Sequence, residues 1–195
     1  IVGGGGGGGN RGGYGTGRGG GAGGMVYMVN KEFEKDTIYI IRVGDGGEIN
    51  RNGRDSYIKT VSDNLYLTFD TSNLIGIGGG SAARSGGSGG GSGQPVQSYH
   101  PYPRPYSGDG GSSEQGNTFW NIETNAYEPG GYRGGKGDYN IFTRDSAGGG
   151  GGAGGVGGDN YGDGGEGRYV NITGTAVMYG KGGHPYSISP EQISP

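Results

Sequence analysis

The side chains best suited to chemistry in this sequence are aromatic, and they concentrate in two neighbouring stretches. Residues 94–107 read QPVQSYHPYPRPYS, and residues 117–132 read NTFWNIETNAYEPGGY with the only tryptophan. Tyrosine, tryptophan and arginine dominate the energetics of protein interfaces, and proline lowers the entropic cost of presenting them. The sequence therefore predicts a binding surface formed by Tyr99, His100, Tyr102, Arg104, Tyr106, Trp120, Tyr127 and Tyr132.

Catalytic and metal chemistry have little basis in the residues. The chain has no cysteine and only two histidines, His100 and His184, each beside a proline. This pattern predicts neither a catalytic dyad nor a zinc site. Lys136 and Lys181 each follow a glycine, but glycine also follows them, where a phosphate-binding loop needs Ser or Thr for Mg²⁺. We therefore expect a protein that is not an enzyme and has no cofactor and no bound metal.

Two glycine-containing motifs point weakly to calcium and to nucleic acid. Residues 154–162 match one calcium-binding nonapeptide around Asp159, but that fold needs tandem repeats and the next nine residues do not match. Arg11, Arg18 and Arg133 each precede two glycines, as in the RGG boxes that bind single-stranded nucleic acid. Three distant boxes in a chain with a net charge of −3 favour solvent-exposed arginines at the rim of a glycine-rich bundle. We expect no nucleic-acid partner.

The composition leaves disorder as the main structural alternative. Of 195 residues, 56 are glycine and 8 are proline, and no Gly-X-Y period is sustained. Low net charge and the clustering of apolar residues into short runs oppose disorder. No apolar run is long enough to span a membrane, so we expect no membrane insertion. The opening Ile-Val-Gly, without methionine, predicts a piece of a longer protein.

Several short runs are rich in β-branched and aromatic residues and predict strands. Two of them, 25–29 and 37–43, are predicted to pair as a hairpin through the polar link 30–36. A second pair, 169–173 and 175–179, is predicted around Gly174. Further strands are predicted at 54–61, 65–69 and 139–143, and no stretch shows a helical period.

The glycine blocks are expected to fold by packing backbone against backbone. Polyproline II helices have three residues per turn and no internal hydrogen bond, so neighbouring helices can bond to one another. An interior helix must then be nearly all glycine, whereas a surface helix can read Gly-Gly-X. We predict that 3–9 and 148–152 are adjacent interior helices and that 17–24 and 154–165 lie at the rim.

The predicted fold class is mainly β and irregular: a bundle of glycine-rich polyproline II helices packed with short antiparallel strands, with essentially no α-helix. A single glycine-rich domain is expected over 1–183, with Tyr- and Pro-rich loops inserted at 94–132 and an extended tail or linker at 184–195. The alternative to a binding role for the aromatic residues is that they cap the open end of the bundle.

The order of the pieces resembles a known family. An apolar strand enters a glycine run, GGGAGG precedes a strand, a strand ends in V-G-x-G-G, and the last block reads I-T-G-x-x-V-x-Y-G-x-G-G. These pieces, with two further glycine-rich blocks, occupy residues 1–9, 19–29, 43–47, 78–82, 148–158 and 172–183. The pattern is similar to the glycine-rich domain of bacteriophage and large-virus tail-fibre or virion proteins. A related arrangement occurs in the extracellular domain of the anaplastic lymphoma kinase receptors, but those relatives carry cysteines and this chain has none.

The resemblance implies a rigid scaffold whose inserted loops contact partners, with no catalytic residues to carry over. We therefore expect a non-enzymatic structural module of a virion surface or fibre, located on the virion surface or outside the cell. Its aromatic loops would serve host attachment or virion assembly. The expected partners are other virion proteins or the chain itself, with a host surface receptor or glycan as a further target. The alternatives are an extracellular receptor or matrix domain that binds a protein ligand, and a disordered RGG-type nucleic-acid binder.

Overall fold

Extended glycine-rich segments lie side by side and bond to one another through their backbones. A computed structural model describes residues 1–9, 17–61, 68–69, 72–92, 109–137 and 146–185. Along residues 3–9, every third N–H group, at positions 3, 6 and 9, donates to a carbonyl of residues 18–24 at 2.8–3.0 Å. The N–H groups at positions 4 and 7 donate to residues 54 and 51 on a different neighbour. This period of three is that of a polyproline II helix.

The hand of these helices follows from the backbone angles. Among the described glycines, only Gly174 and Gly180 have a positive φ, and both lie outside the central glycine blocks. The glycine blocks bond to neighbouring segments, unlike a right-handed 3₁₀ helix, which bonds within itself. An extended segment with negative φ and three residues per turn is a left-handed polyproline II helix. The glycine blocks are therefore left-handed extended helices.

Three segments form the centre of the bundle. Residues 19–24, 86–92 and 147–153 are buried throughout, and their side chains are no larger than those of alanine and serine. The first segment exchanges backbone hydrogen bonds with five neighbours, which are residues 3–9, 77–80, 88–91, 148–151 and 183. Because each helix directs its peptide groups sideways in three directions, a central helix is bonded on all sides.

The assignment of interior and rim positions from sequence was half right. Residues 148–152 lie at the centre, and 154–165 lie at the rim with exposed Val156 and Asp163, as predicted. Residues 17–24 were predicted at the rim but lie at the centre, and 3–9 lie at the rim with Gly5 and Gly8 exposed. The two all-glycine blocks are not adjacent either, because 18–24 lies between them and bonds to both. An alanine methyl fits inside the bundle, and a rim position accepts glycine as readily as any other residue.

Nine short strands complete the described structure, and all are antiparallel to their partners. They are β1 Tyr39–Arg42, β2 Ser56–Thr60, β3 Thr68–Phe69, β4 Ser72–Asn73, β5 Ile75–Gly76, β6 Asn117–Asn121, β7 Ala126–Pro129, β8 Arg168–Val170 and β9 Val177–Tyr179. The sheets have the orders β1-β2-β5, β3-β4, β6-β7 and β8-β9. No helix occurs in the described residues, which confirms the mainly β and irregular fold class, and so none of them forms a helix that could cross a membrane.

The predicted hairpin between 25–29 and 37–43 is wrong. Strand β1 pairs with β2, with Tyr39 opposite Thr60, whereas Met25 and Tyr27 form single bridges to Val2 and Phe119. Residues 25–29 directly follow the central segment 19–24. Their neighbours are therefore determined by the bundle and not by the link 30–36. The predicted pair around Gly174 is confirmed as β8 and β9. The strand predicted at 139–143 lies outside the described residues, and of 65–69 only β3 is described.

The bundle has two different ends. At one end Gly3 bonds to Gly24, Met25 to Gly130 and Ala153 to Gly180, and the sheets β1-β2-β5, β6-β7 and β8-β9 emerge there. We call this the hairpin end. At the other end Gly9 bonds to Arg18, and Ser92 bonds to Gly135 and Gly148. We call this the loop end, because the chain continues from it into the ranges 10–16, 93–108, 138–145 and 186–195.

A small apolar core closes the hairpin end. Its buried members are Met25, Phe119, Ala153 and Val170, with Val2 and Tyr27 packed against them. The rings of Tyr27 and Phe119 are tilted, with centroids 5.3 Å apart. Full burial of a Met, Val or Phe side chain contributes about 1.5–3 kcal/mol. This core therefore adds hydrophobic stabilisation to a bundle otherwise held by backbone hydrogen bonds.

Candidate binding surface

The Tyr- and Pro-rich loop is anchored at the loop end. Its site residues Tyr99, His100, Tyr102, Arg104 and Tyr106 lie outside the described residues, but the flanking residues Ser92 and Asp109 are described. The Ser92 hydroxyl is buried and accepts the N–H of Gly137 at 2.6 Å. Asp109 forms an exposed ion pair with Lys136 at 3.0 Å, and two residues further on the carbonyl of Gly111 accepts the N–H of Gly134 at 2.9 Å. Both flanks of the loop are therefore held to the same neighbouring segment, residues 130–137.

Other chain segments enter and leave the bundle close to these anchors. Residues 9 and 18 bond to each other in both directions at 3.0 Å, on either side of range 10–16. Residues 137 and 146 flank range 138–145, and the hydroxyl of Ser146 bonds to Asn160 at 2.9 Å. The loop end thus brings together the starting points of three internal loops on a hydrogen-bonded base.

The charged residues of the loop end have structural partners in the described chain. Asp159, the candidate calcium ligand, accepts the backbone N–H of Lys136 at 2.7 Å and lies 4.0 Å from Arg133. Arg133, part of a candidate RGG box, also donates to the carbonyl of Gly134 at 3.1 Å and lies at the rim. His184 lies 2.9 Å from Asp163. The described residues contain no group of three or more His, Cys, Asp or Glu placed to hold a metal ion.

The remaining predicted site residues lie toward the opposite end. Trp120 on β6 and Tyr127 on β7 are directly opposite each other, with their rings edge to face and centroids 5.0 Å apart. Both side chains are half-buried, as is Tyr132 in the adjoining bundle segment. The fold attaches the hairpin that carries Trp120 and Tyr127 at one end, and it attaches the Tyr- and Pro-rich loop at the other. The eight predicted residues therefore do not share one attachment point.

The best-connected polar side chain of the hairpin end is Arg168, which sequence reasoning missed. Its guanidinium lies over the ring of Phe119, with Cζ 4.4 Å from the ring centroid, and forms an ion pair with Glu128 at 2.7 Å. It also donates to the carbonyl of Ala153 at 3.1 Å and reaches the hydroxyl of Tyr132 at 3.5 Å. Arg168 thus joins β8 to β7 and to the central segment 147–153. Its partners are distant in sequence, so no local motif could have revealed it.

Glu128 is held in its ionised form by its neighbours. Its Oε1 accepts a hydrogen bond from Asn121 at 2.6 Å and one from Thr124 at 3.2 Å. The bond from Asn121, followed by the hydrogen bond and positive charge of Arg168, lowers the pKa of Glu128 against the opposing effect of desolvation. Strand β7 is therefore fixed to β8 by a charged pair that persists into mildly acidic conditions.

An open groove of about 260 Å³ lies beside Arg168. Phe119, Asn121 and Tyr169 line it together with Glu123 and two glycines. The amide of Asn121 already donates to Glu128 and accepts the N–H of Glu123 at 2.9 Å. Because the side chains of Arg168 and Asn121 already form hydrogen bonds within the fold, we interpret the groove as a gap between the β6–β7 and β8–β9 hairpins and not as a binding site.

Comparison with known proteins identifies one family. The sequence profile of a glycine-rich domain matches residues 1–185, which covers the central segments, the rim segments and the three sheets of the hairpin end. No curated protein and no solved structure gave a match. The matched region makes up nearly all of the 195 residues, and the chain belongs to the glycine-rich domain family.

Proposed function

We propose that this chain is a non-enzymatic structural module that holds recognition loops at the loop end of a glycine bundle. The observation that supports the proposal is the composition of the bundle centre. Residues 19–24, 86–92 and 147–153 are buried and contain only glycine, alanine and serine. Their backbone groups bond to neighbouring segments, so the interior supplies rigidity and no reactive side chain.

Recognition then depends on the inserted loops. Ser92 and Asp109, on either side of range 93–108, are both tied to residues 136–137. A loop held at both ends on a hydrogen-bonded base loses less conformational entropy when it binds. The loop carries the tyrosines, the arginine and the prolines that favour an interface, so Tyr99, His100, Tyr102, Arg104 and Tyr106 are its proposed contact residues.

The proposed setting is a virion surface or fibre. It is supported by the order of glycine blocks and strands, which resembles that of phage and large-virus tail-fibre domains, and by the absence of the cysteines that the receptor-type relatives carry. In that setting the partners of the loops are a host receptor or glycan, and the partners of the scaffold are other virion proteins or further copies of the chain.

The test replaces residues 96–106 with a Gly-Ser linker of equal length. The variant is expected to melt like the wild type, because none of the described bundle segments is replaced, and to lose binding to an immobilised glycan panel and to whole cells of candidate hosts. The matched control replaces residues 187–193 of the tail in the same way and is expected to keep binding. Wild-type binding by the 96–106 variant would contradict the proposal. A lowered melting temperature without a separate binding defect would instead support the capping role of the aromatic residues.

A further inference from the structure

Strand β1 is an apolar strand at the edge of its sheet. In the described chain it pairs on one side only, with β2, in the order β1-β2-β5. Successive side chains of a strand point to opposite faces. Ile41 and Val43 on one face are 70% and 80% exposed, and Ile38 on the other face is 73% exposed. Both faces of this strand therefore carry exposed β-branched residues, which is uncommon in a protein that remains a monomer.

The backbone groups of β1 that have no strand partner in the described chain can be identified from its pairing with β2. Val61 donates its N–H to the carbonyl of Ile38 at 3.1 Å, so the peptide groups of Ile38 point toward β2. In an antiparallel ladder this direction alternates along the strand. Ile40 and Arg42 therefore also point toward β2, whereas the groups at positions 39, 41 and 43 point away from the sheet.

The charge pattern of β1 is compatible with pairing to an identical strand. Between residues 38 and 43 the only charged side chain is Arg42, and its guanidinium lies 6.0 Å from the ring of Tyr57 on β2. In a twofold antiparallel pair centred on Ile41, this residue lies opposite itself and Tyr39 lies opposite Val43 of the second copy. Arg42 then lies opposite Ile40, so no like charges meet.

We propose that two copies of this chain associate through their β1 strands and form one continuous antiparallel sheet. The outward-pointing groups at positions 39, 41 and 43 fall opposite one another in the register centred on Ile41, which is the hydrogen-bonded arrangement. The pairing also places Ile41 beside its own copy and Val43 beside Tyr39 of the second copy, so these side chains contact one another on one face. Because β1 belongs to the hairpin end, both copies keep their loop ends accessible, and the inference does not depend on what the loops bind.

The experiment measures the mass of the full chain by sedimentation equilibrium over a range of concentrations. The wild type is expected to dimerise at concentrations below about 0.1 mM. Ile41→Lys places two positive charges opposite each other and is expected to weaken dimerisation at least about tenfold. Ile172→Lys is the matched control, because Ile172 is 75% exposed in the β8–β9 turn, and it is expected to dimerise like the wild type.

A second variant tests the backbone pairing separately from charge. Ile41→Pro removes an outward-pointing N–H group, a position at which an edge strand accepts proline, and is expected to weaken the dimer while the melting temperature of the monomer stays close to that of wild type. A wild-type chain that stays monomeric at about 0.1 mM would overturn the proposal. So would a dimer that neither Ile41 variant weakens, since another surface would then hold the two copies together.

Discussion

Adjacent glycines in residues 3–9 should differ sharply in their tolerance of alanine. A Cβ added to Gly6 would overlap the carbonyl oxygen of Gly80, whereas a Cβ added to Gly5 would meet its nearest atom, the carbonyl oxygen of Gly21, at 3.9 Å. Neither residue has a positive φ, so alanine is not strained by the backbone angle at either position. The two substitutions add the same methyl group to the same helix and differ only in its direction.

The cost at Gly6 can be worked out from the bonds around Gly80. Its carbonyl must move by about 1 Å to reach an ordinary van der Waals distance from the new methyl. Gly80 accepts the N–H of Gly21 and donates to Ser88, both at 2.8 Å. Weakening two buried hydrogen bonds costs about 2–6 kcal/mol, against a total stability of about 5–15 kcal/mol for a domain. At Gly5, alanine restricts the unfolded chain and should stabilise by about 0.4–1 kcal/mol.

Urea denaturation followed by Trp120 fluorescence and far-UV circular dichroism measures both effects. The midpoint of Gly6→Ala should fall far below that of the wild type, and the midpoint of Gly5→Ala should equal or exceed it. Equal midpoints for the two variants would refute the reasoning, because they would show that the bundle does not select residues by their position in the three-residue turn.

Two further predictions concern the charged pair at the hairpin end. The pKa of Glu128 is lowered in the folded chain. The stability that ionised Glu128 contributes is therefore complete above about pH 4.3 and is lost as the pH falls through the lowered pKa. When the melting temperature is measured against pH, Glu128→Gln should lack this loss of stability. Arg168→Lys should destabilise by about 1–3 kcal/mol in urea, since lysine cannot replace the planar stacking and forked hydrogen bonds, whereas Arg133→Lys at the exposed rim should change stability by less than about 0.5 kcal/mol.

The sequence predicted the kind of packing better than the arrangement of the segments. The absence of side chains in 148–152 predicted a central helix, and the Gly-Gly-X spacing of 154–165 predicted a rim helix. Both predictions rest on local geometry alone, and both were confirmed. The choice between 3–9 and 17–24 for the centre could not be made locally, because both are nearly free of side chains. Their positions depend on how many other segments surround each of them, and that number is a property of the whole chain.

The errors about pairing have the same physical origin. The link between 25–29 and 37–43 is long enough for a hairpin, but residues 25–29 pair within the bundle instead, where the N–H of Met25 donates to the carbonyl of Gly130. Arg168 and Glu128 are 40 positions apart, as their numbers show, and meet only because two hairpins leave the same end. Local patterns predict extended segments, whereas the bundle decides which segments become neighbours.

The geometry of the glycine bundle also determines which positions tolerate substitution and which do not. Two rim segments display charged side chains at every third position, and the charges are opposite: Asp45 and Glu48 lie on the segment bonded to that of Arg51 and Arg54. Exposed pairs of this kind contribute little to stability, so rim residues can vary without loss of the fold. Central positions allow no such variation, since a larger side chain would separate bonded backbones. We therefore expect specific recognition at the two ends, through the loops at one end as proposed above and through strand β1 at the other.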